Sequence, residues 1–218
     1  MESSPIRVTT INDEVYERLH GWIMNGTLSP GEKISTRSIA DSLEVSTMPV
    51  REAFRRLESN GLVVFGRRSV TVAALSDDEV VQLYQIRLRL ERLAAEWALS
   101  RIDDADVADL ERILDEMVVP DIRFEDWRAL NQQFHRRFYD CAGSPHLLEI
   151  LRGLLDKVEP YMAVFVSTVE DLVEADREHR EILDAIRRRD LEGLMAETEN
   201  HLASTIATVH EALARSRS

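Results

Sequence analysis

The chain has 218 residues, enough for one large domain or two small ones with real cores. Hydrophobic residues make up 44% and charged residues 31%, and Gly (8) and Pro (6) are scarce, which excludes fibrous, low-complexity and disordered classes. The single Cys141 excludes an internal disulfide and a cysteine-based zinc site, and a formal net charge of −13 argues at first against a nucleic-acid partner.

The opening Met1-Glu2-Ser3-Ser4-Pro5 carries no basic-then-apolar signal pattern, and no apolar run approaches the ~18 residues of a membrane helix. We therefore expect a cytoplasmic protein with no membrane partner. Residues 11–25 read as a helix, with Ile11, Val15, Leu19, Trp22 and Ile23 at helical spacing. Gly26 and Ser29-Pro30-Gly31 then turn the chain. Ser35 and Thr36 can cap a short helix to about Leu43. After the tight Glu44-Val45 connection, Ser46 or Thr47 caps a third helix that runs to Ser59 and stops at Asn60-Gly61. Two β-prone runs, 62–65 and 70–72, are joined by Gly66-Arg67-Arg68-Ser69 and read as a hairpin. From Asp77 to Arg215 the period is helical throughout, with breaks near 101–103, 119–121, 142–145, Ser167 and 189–190. The expected fold is mostly α: a winged helix-turn-helix over 1–75, then an all-α antiparallel six-helix bundle over 76–218.

The charge is not spread evenly between these parts. Residues 1–75 are neutral overall, while residues 76–218 carry the whole −13. Within 33–72, 7 basic residues face 4 acidic ones, so a basic island sits on an acidic chain. The third predicted helix buries Val50, Ala53, Phe54 and Leu57 on one stripe. Thr47, Arg51 and Arg55 occupy another face, on an i, i+4 row. A planar guanidinium there can fork onto a guanine edge or a phosphate. Arg37 opens the preceding helix, a poor place for a cation except beside a phosphate. Arg67 and Arg68 at the hairpin tip can reach an adjacent groove.

The stretches Val15-Tyr16-Glu17-Arg18-Leu19, Gly26-Thr27-Leu28-Ser29-Pro30-Gly31-Glu32 and, above all, residues 45–62 (from Val45-Ser46-Thr47-Met48-Pro49-Val50-Arg51-Glu52 to Asn60-Gly61-Leu62) are specific. On them, residues 15–72 resemble the winged helix-turn-helix domain of GntR-type bacterial transcription regulators. The resemblance implies that Arg37, Ser46, Thr47, Pro49, Arg51 and the wing tip touch an operator. The sequence departs from the family in two places, with Thr47 where Arg is usual and Ser69 where Gly is usual. Thr47 can bond a phosphate or meet a thymine methyl but cannot fork onto guanine, which implies a different operator.

Of six histidines, His135 lies one turn after Asn131 on the same helix face, and His179 and His201 sit on the last two predicted helices beside apolar positions. His210, nine residues past His201, faces away from it, and His146 lies beyond the Gly143-Ser144-Pro145 break. Three imidazoles with an oxygen ligand suit a divalent ion such as zinc or nickel, although no short motif ties them together. Residues 83–91 (Leu83-Tyr84-Gln85-Ile86-Arg87 onward), Asn131-Gln132-Gln133-Phe134-His135, Glu178-His179-Arg180-Glu181-Ile182 and His201 resemble the six-helix ligand-sensing domain of the FadR subfamily of these regulators. The resemblance implies a divalent metal on Asn131, His135, His179 and His201, a small organic acid as effector, and Arg87 as a partner for its acid group. An ion pair between Arg87 and Glu91 on the same helix is the alternative. An amide at 131 in place of a carboxylate implies weaker metal affinity.

The expected function is a homodimeric regulator, most simply a repressor, on a palindromic operator, tuned by a carboxylate effector near the metal and with no catalytic residues. Two alternatives stand beside it: a purely structural metal, and a metal-dependent hydrolase, for which no general base is evident.

Overall fold

The computed structural model describes residues 10–66, 69–165 and 169–216. By its internal contacts the chain divides into two units, residues 1–75 with 159–164, and residues 76–158 with 165–218.

In the first unit, α1 (Ile11–Met24) starts at a capping box in which Thr10 Oγ1 accepts from the Asp13 N–H and the Asp13 carboxylate accepts from Thr10. It buries Val15, Leu19, Ile23 and Met24 and packs on α3 (Thr47–Ser59). Between them, α2 (Thr36–Ser42) is capped by Ser35, whose hydroxyl accepts from the Ser38 N–H. The α2–α3 turn passes through Glu44 at φ 55°, left-handed backbone for a residue with a side chain. Val50, Ala53, Phe54 and Leu57 of α3 are fully buried, as its period predicts.

The sheet is larger than the expected hairpin. Besides β2 (Val63–Phe65) and β3 (Val70–Val72), Lys33–Ile34 forms β1, and the order is β1-β3-β2, all antiparallel. Ile34 lies opposite Val70, and both are buried with Val63 and Val72. A two-residue strand has no alternation to read, so only the partner strand reveals it.

The second unit contains α4 (Asp77–Leu99), α5 (Asp104–Met117), α6 (Phe124–Asp140), α7 (Pro145–Phe165) apart from its residues 159–164, α8 (Val169–Arg187) and α9 (Leu191–Ser216). The expected break at Ser167 lies outside the described residues. Capping boxes at Ser76 with Glu79 and at Asp103 with Asp106 start α4 and α5. The end of α4 is held from a distance: Arg189, itself at φ 53°, donates to the Leu99 and Ile102 carbonyls at 2.9 and 2.7 Å. Helix α4 packs on α9 and α6, α5 on α6 and α8, and α8 on α9. Phe134, Leu110, Ile113, Met117, Leu183 and Leu194 fill the core between them. No helix among the described residues is long and apolar enough to cross a membrane.

Candidate functional site

In the first unit the structure brings Arg37, Thr47 and Arg51 together. With Thr36, Phe65, Gly66, Ser69 and Val70 they line a cleft of about 340 Å³ between α2, α3 and the base of the wing. Ser46 is the N-cap of α3 and is exposed, yet its side chain makes no capping bond. Its hydroxyl and the first N–H groups of α3 are left for an outside acceptor. Arg55 is exposed on α3 but does not line the cleft. Among the described residues, Arg37, Arg51 and Arg55 form no ion pair, whereas Arg56 binds Asp13 at 3.0 Å and lies 3.9 Å over the Tyr16 ring. Among its described arginines the basic island therefore holds one committed to its own fold and three that form no ion pair. Pro49 is buried in the first turn of α3, where its missing N–H costs nothing. Arg67 and Arg68 lie outside the described residues.

In the second unit, α6, α8 and α9 bring His135, His179 and His201 to one point, each offering a ligand atom within 4.8 Å of the others. Ring centroids are 4.6 to 5.3 Å apart. The Nε2 atoms of His135 and His179 are 3.3 Å from each other. Two imidazole nitrogens bound at the usual ~2.1 Å to one ion lie roughly 3.0–3.4 Å apart, so this pair already has the spacing an ion needs. His179 is fully buried, and its Nδ1 has no well-formed partner, only the Ala175 backbone acting on it from one turn back. One turn before His135 on α6, Asn131 holds a buried Oδ1 that accepts no hydrogen bond. A buried acceptor left unpaired is costly unless something outside the chain completes it. The donor set of three imidazoles suits a borderline divalent ion, and an amide oxygen is compatible with it. The remaining histidines lie elsewhere: His20 stacks on Tyr16, His146 is exposed on α7, and His210 is 3.4 Å from Asp77.

Burial, and after it the charges of His179, His201 and Arg87, hold His135 well below its ordinary pKa; burial and then His201 do the same to His179. Both are thus neutral, the form that binds metal. His201 is oriented by Glu178, whose Oε2 lies 2.7 Å from His201 Nδ1, while Ser204 donates to Glu178 Oε1 at 2.6 Å. Burial pushes the Glu178 carboxyl up, but the bonds from His201 and Ser204 outweigh it and keep it below its usual range. The proton on Nδ1 then leaves Nε2 with its lone pair toward the cluster. Trp127 closes another side, its indole N–H donating to Asp176 at 3.0 Å and its ring centroid 6.3 Å from that of His179.

Beside His135 and His201 lies a small chamber lined also by Arg87, Glu91, Tyr139 and Thr198. The volume open to the centre of a water-sized sphere is about 10 Å³, room for one small particle. Arg87 donates through Nε and Nη2 to Glu91 Oε1 at 3.1 and 2.9 Å, so the alternative ion pair is the one observed, and both residues are buried.

Residues 11–72 match the gntR family of bacterial regulatory proteins, and residues 82–204 match the FCD domain. The chain is also 31% identical over 184 residues to the uncharacterized HTH-type transcriptional regulator YdhC of Bacillus subtilis (strain 168), covering 82% of each chain. This chain belongs to the GntR family. Another relative is the HTH-type transcriptional repressor RspR of Escherichia coli (strain K12), 27% identical over 207 residues, with 92% of this chain and 90% of that one covered. The fold is also that of the solved E. coli McbR/YncC structure, at a TM-score of 0.82 and 23% identity over 94% of this chain and 99% of that one. Like its relatives, this GntR-family protein is a DNA-binding transcriptional regulator and not an enzyme.

Two residues that matter to the site escape the sequence reading. Glu178 is adjacent to His179 in sequence, but successive helix positions diverge by about 100°, so its link to His201 on another helix is invisible without the fold. Thr198 lies three residues before His201 on α9 and looks like an ordinary helix hydroxyl, donating to the Leu194 carbonyl at 2.8 Å.

Proposed function

We propose that this GntR-family regulator is a cytoplasmic repressor that binds a palindromic operator as a homodimer. Residues 1–75 serve as the DNA-binding domain, and residues 76–218 serve as the effector-binding, metal-binding and dimerisation domain. Arg37, Ser46, Thr47, Arg51, Arg55, Arg67 and Arg68 meet the DNA. Asn131, His135, His179 and His201 hold a divalent ion, zinc or nickel by donor type. When bound, such an ion supplies a fixed positive charge with open positions for a carboxylate. The observation that carries the reading is the convergence of three buried or half-buried imidazoles in a domain attached to a face of uncommitted arginines. The repressor assignment is supported by relatives named as transcriptional repressors, RspR and GlaR of E. coli. Effector control requires that the ligand bind two arrangements of the regulator with different affinity.

The test is fluorescence anisotropy of the full chain on DNA from its own upstream region, with small carboxylates added with and without a chelator. Specific binding tighter than about 10⁻⁷ M, released by one acid and insensitive to that acid in His179→Ala, supports the reading. Weak and equal binding to every DNA overturns it. The small chamber and the Arg87–Glu91 pair favour one second reading, in which the metal only ties helices together. In that case chelation lowers the melting temperature and no acid changes operator affinity.

A further inference from the structure

One outward residue of α3 is apolar. Met48, in the first turn, is 73% exposed, more than any other large apolar side chain among the described residues. Every other exposed residue of α3 is polar or charged. At about 100° per residue, Met48 falls roughly opposite the buried stripe of Val50, Ala53, Phe54 and Leu57. It lies within ~20° of Arg55, two turns further on, and Arg51 and Glu52, both exposed, follow it by one turn. Thr47 and Arg51 line the cleft beside the wing, whereas Met48 does not. Met48 therefore stands on the crest of the helix face that carries Arg51 and Arg55, next to the N-cap Ser46 whose side chain makes no capping bond.

We infer that Met48 packs on the C5-methyl group of a thymine in each operator half-site, which makes it a residue that sets sequence preference. The inference rests on the operator reading above. A thioether donates no hydrogen bond and accepts only weakly, so Met48 gains nothing from a phosphate and cannot bond a base edge. In the major groove the base edges offer hydrogen-bond donors and acceptors, and the one methyl group among them is on C5 of thymine. Packing the two apolar groups together removes both from water. The unbranched methionine chain, with its three rotatable bonds, can follow the methyl group as the helix settles in the groove. Single apolar side chains are common on protein surfaces, but this one shares its stripe with two arginines that form no ion pair among the described residues. A two-fold regulator on a palindrome repeats the contact once per half-site.

The experiment is uracil interference on DNA from the chain's own upstream region, amplified in vitro with a fraction of its thymine replaced by uracil, which lacks only the C5-methyl. Such DNA carries no methylated cytosine, so thymine is the source of every methyl group tested. Duplexes bound by the full chain are separated from free ones, and cleavage at uracil shows which positions are depleted from the bound fraction. We expect one thymine per half-site whose replacement interferes with binding of the parent and not of Met48→Ala. Met48→Leu, which keeps an apolar side chain of similar size, should interfere at the same thymine as the parent. With uracil at that position in both half-sites, the affinity of the parent should fall roughly tenfold and that of Met48→Ala less than about twofold. Met48 is exposed and alanine favours a helix, so Met48→Ala leaves α3 folded. An interference pattern identical in the parent and Met48→Ala overturns the assignment while leaving operator binding intact. Equal binding of the parent to upstream and random DNA overturns the operator reading, and this inference with it.

Discussion

At the scale of single residues, the second unit separates the groups that would touch an ion from the groups that aim them. Glu178 belongs to the second kind, since its 2.7 Å contact with His201 Nδ1 fixes which ring nitrogen keeps its proton. Glu178→Gln is expected to weaken zinc binding roughly 10- to 100-fold, the usual effect of losing a partner of a metal-ligating histidine, with unchanged helical content by circular dichroism. Competition with a chromogenic chelator measures it, and an affinity equal to the parent's would make Glu178 merely structural. Asn131 belongs to the first kind in our reading. Asn131→Asp adds a full charge to the donor set and should raise zinc affinity more than tenfold. A smaller change would remove Asn131 from the ligands. The two substitutions push the same equilibrium in opposite directions, which guards against an assay artefact. Asn131 and His135 were legible in the sequence because a four-residue spacing on one helix stacks two side chains. Glu178 was not, because its partner comes from another helix.

The elements show where local patterning suffices and where it does not. Phe54 and Leu57 sit in the core as their period requires, and the caps at Ser35, Ser76 and Asp103 start helices where short polar residues precede apolar ones. Lys33–Ile34 was given no element, because pairing with β3 makes it a strand and nothing in two residues announces that. Pro49 was placed at the DNA by resemblance, and the structure buries it in the first turn of α3. The α2–α3 turn carries strain that the sequence does disguise: Glu44 holds φ 55° so that the Val45 N–H can reach the Ala40 carbonyl at 3.0 Å. Left-handed backbone costs a side-chain-bearing residue about 1–2 kcal/mol, part of which glycine's greater freedom in the unfolded chain offsets. Glu44→Gly should therefore stabilise the first unit by roughly 1 kcal/mol. Urea unfolding checks this, and a lower midpoint in the variant would mean the Glu44 side chain earns its place in some other way.

Across the whole molecule, charge is partitioned by function. The 143 residues from 76 onward carry all of the net −13, so the acidic portion repels a phosphate backbone and leaves attraction to the basic island. Composition alone pointed away from nucleic acid, and only the division of the chain reversed that. The His cluster also has a global consequence, because it draws on three separate helices, α6, α8 and α9. An ion present at about a hundred times its dissociation constant adds roughly 2.7 kcal/mol to the folded state, or about 5–10 °C in melting temperature for a chain of this size. Differential scanning fluorimetry with and without a chelator should show that difference. An unchanged midpoint would mean that apolar packing holds α6, α8 and α9 without help.

The position of Trp127 gives the protein a built-in optical signal. With its indole centroid 6.3 Å from the His179 ring, it lies within contact quenching range of a paramagnetic ion seated among the imidazoles. Adding nickel or cobalt should dim the intrinsic emission in proportion to occupancy, zinc should not, and Trp127→Phe should abolish the effect. Site loading can then be followed in unlabelled protein while it sits on DNA, so that binding of the ion and release of the operator are timed against each other in one cuvette.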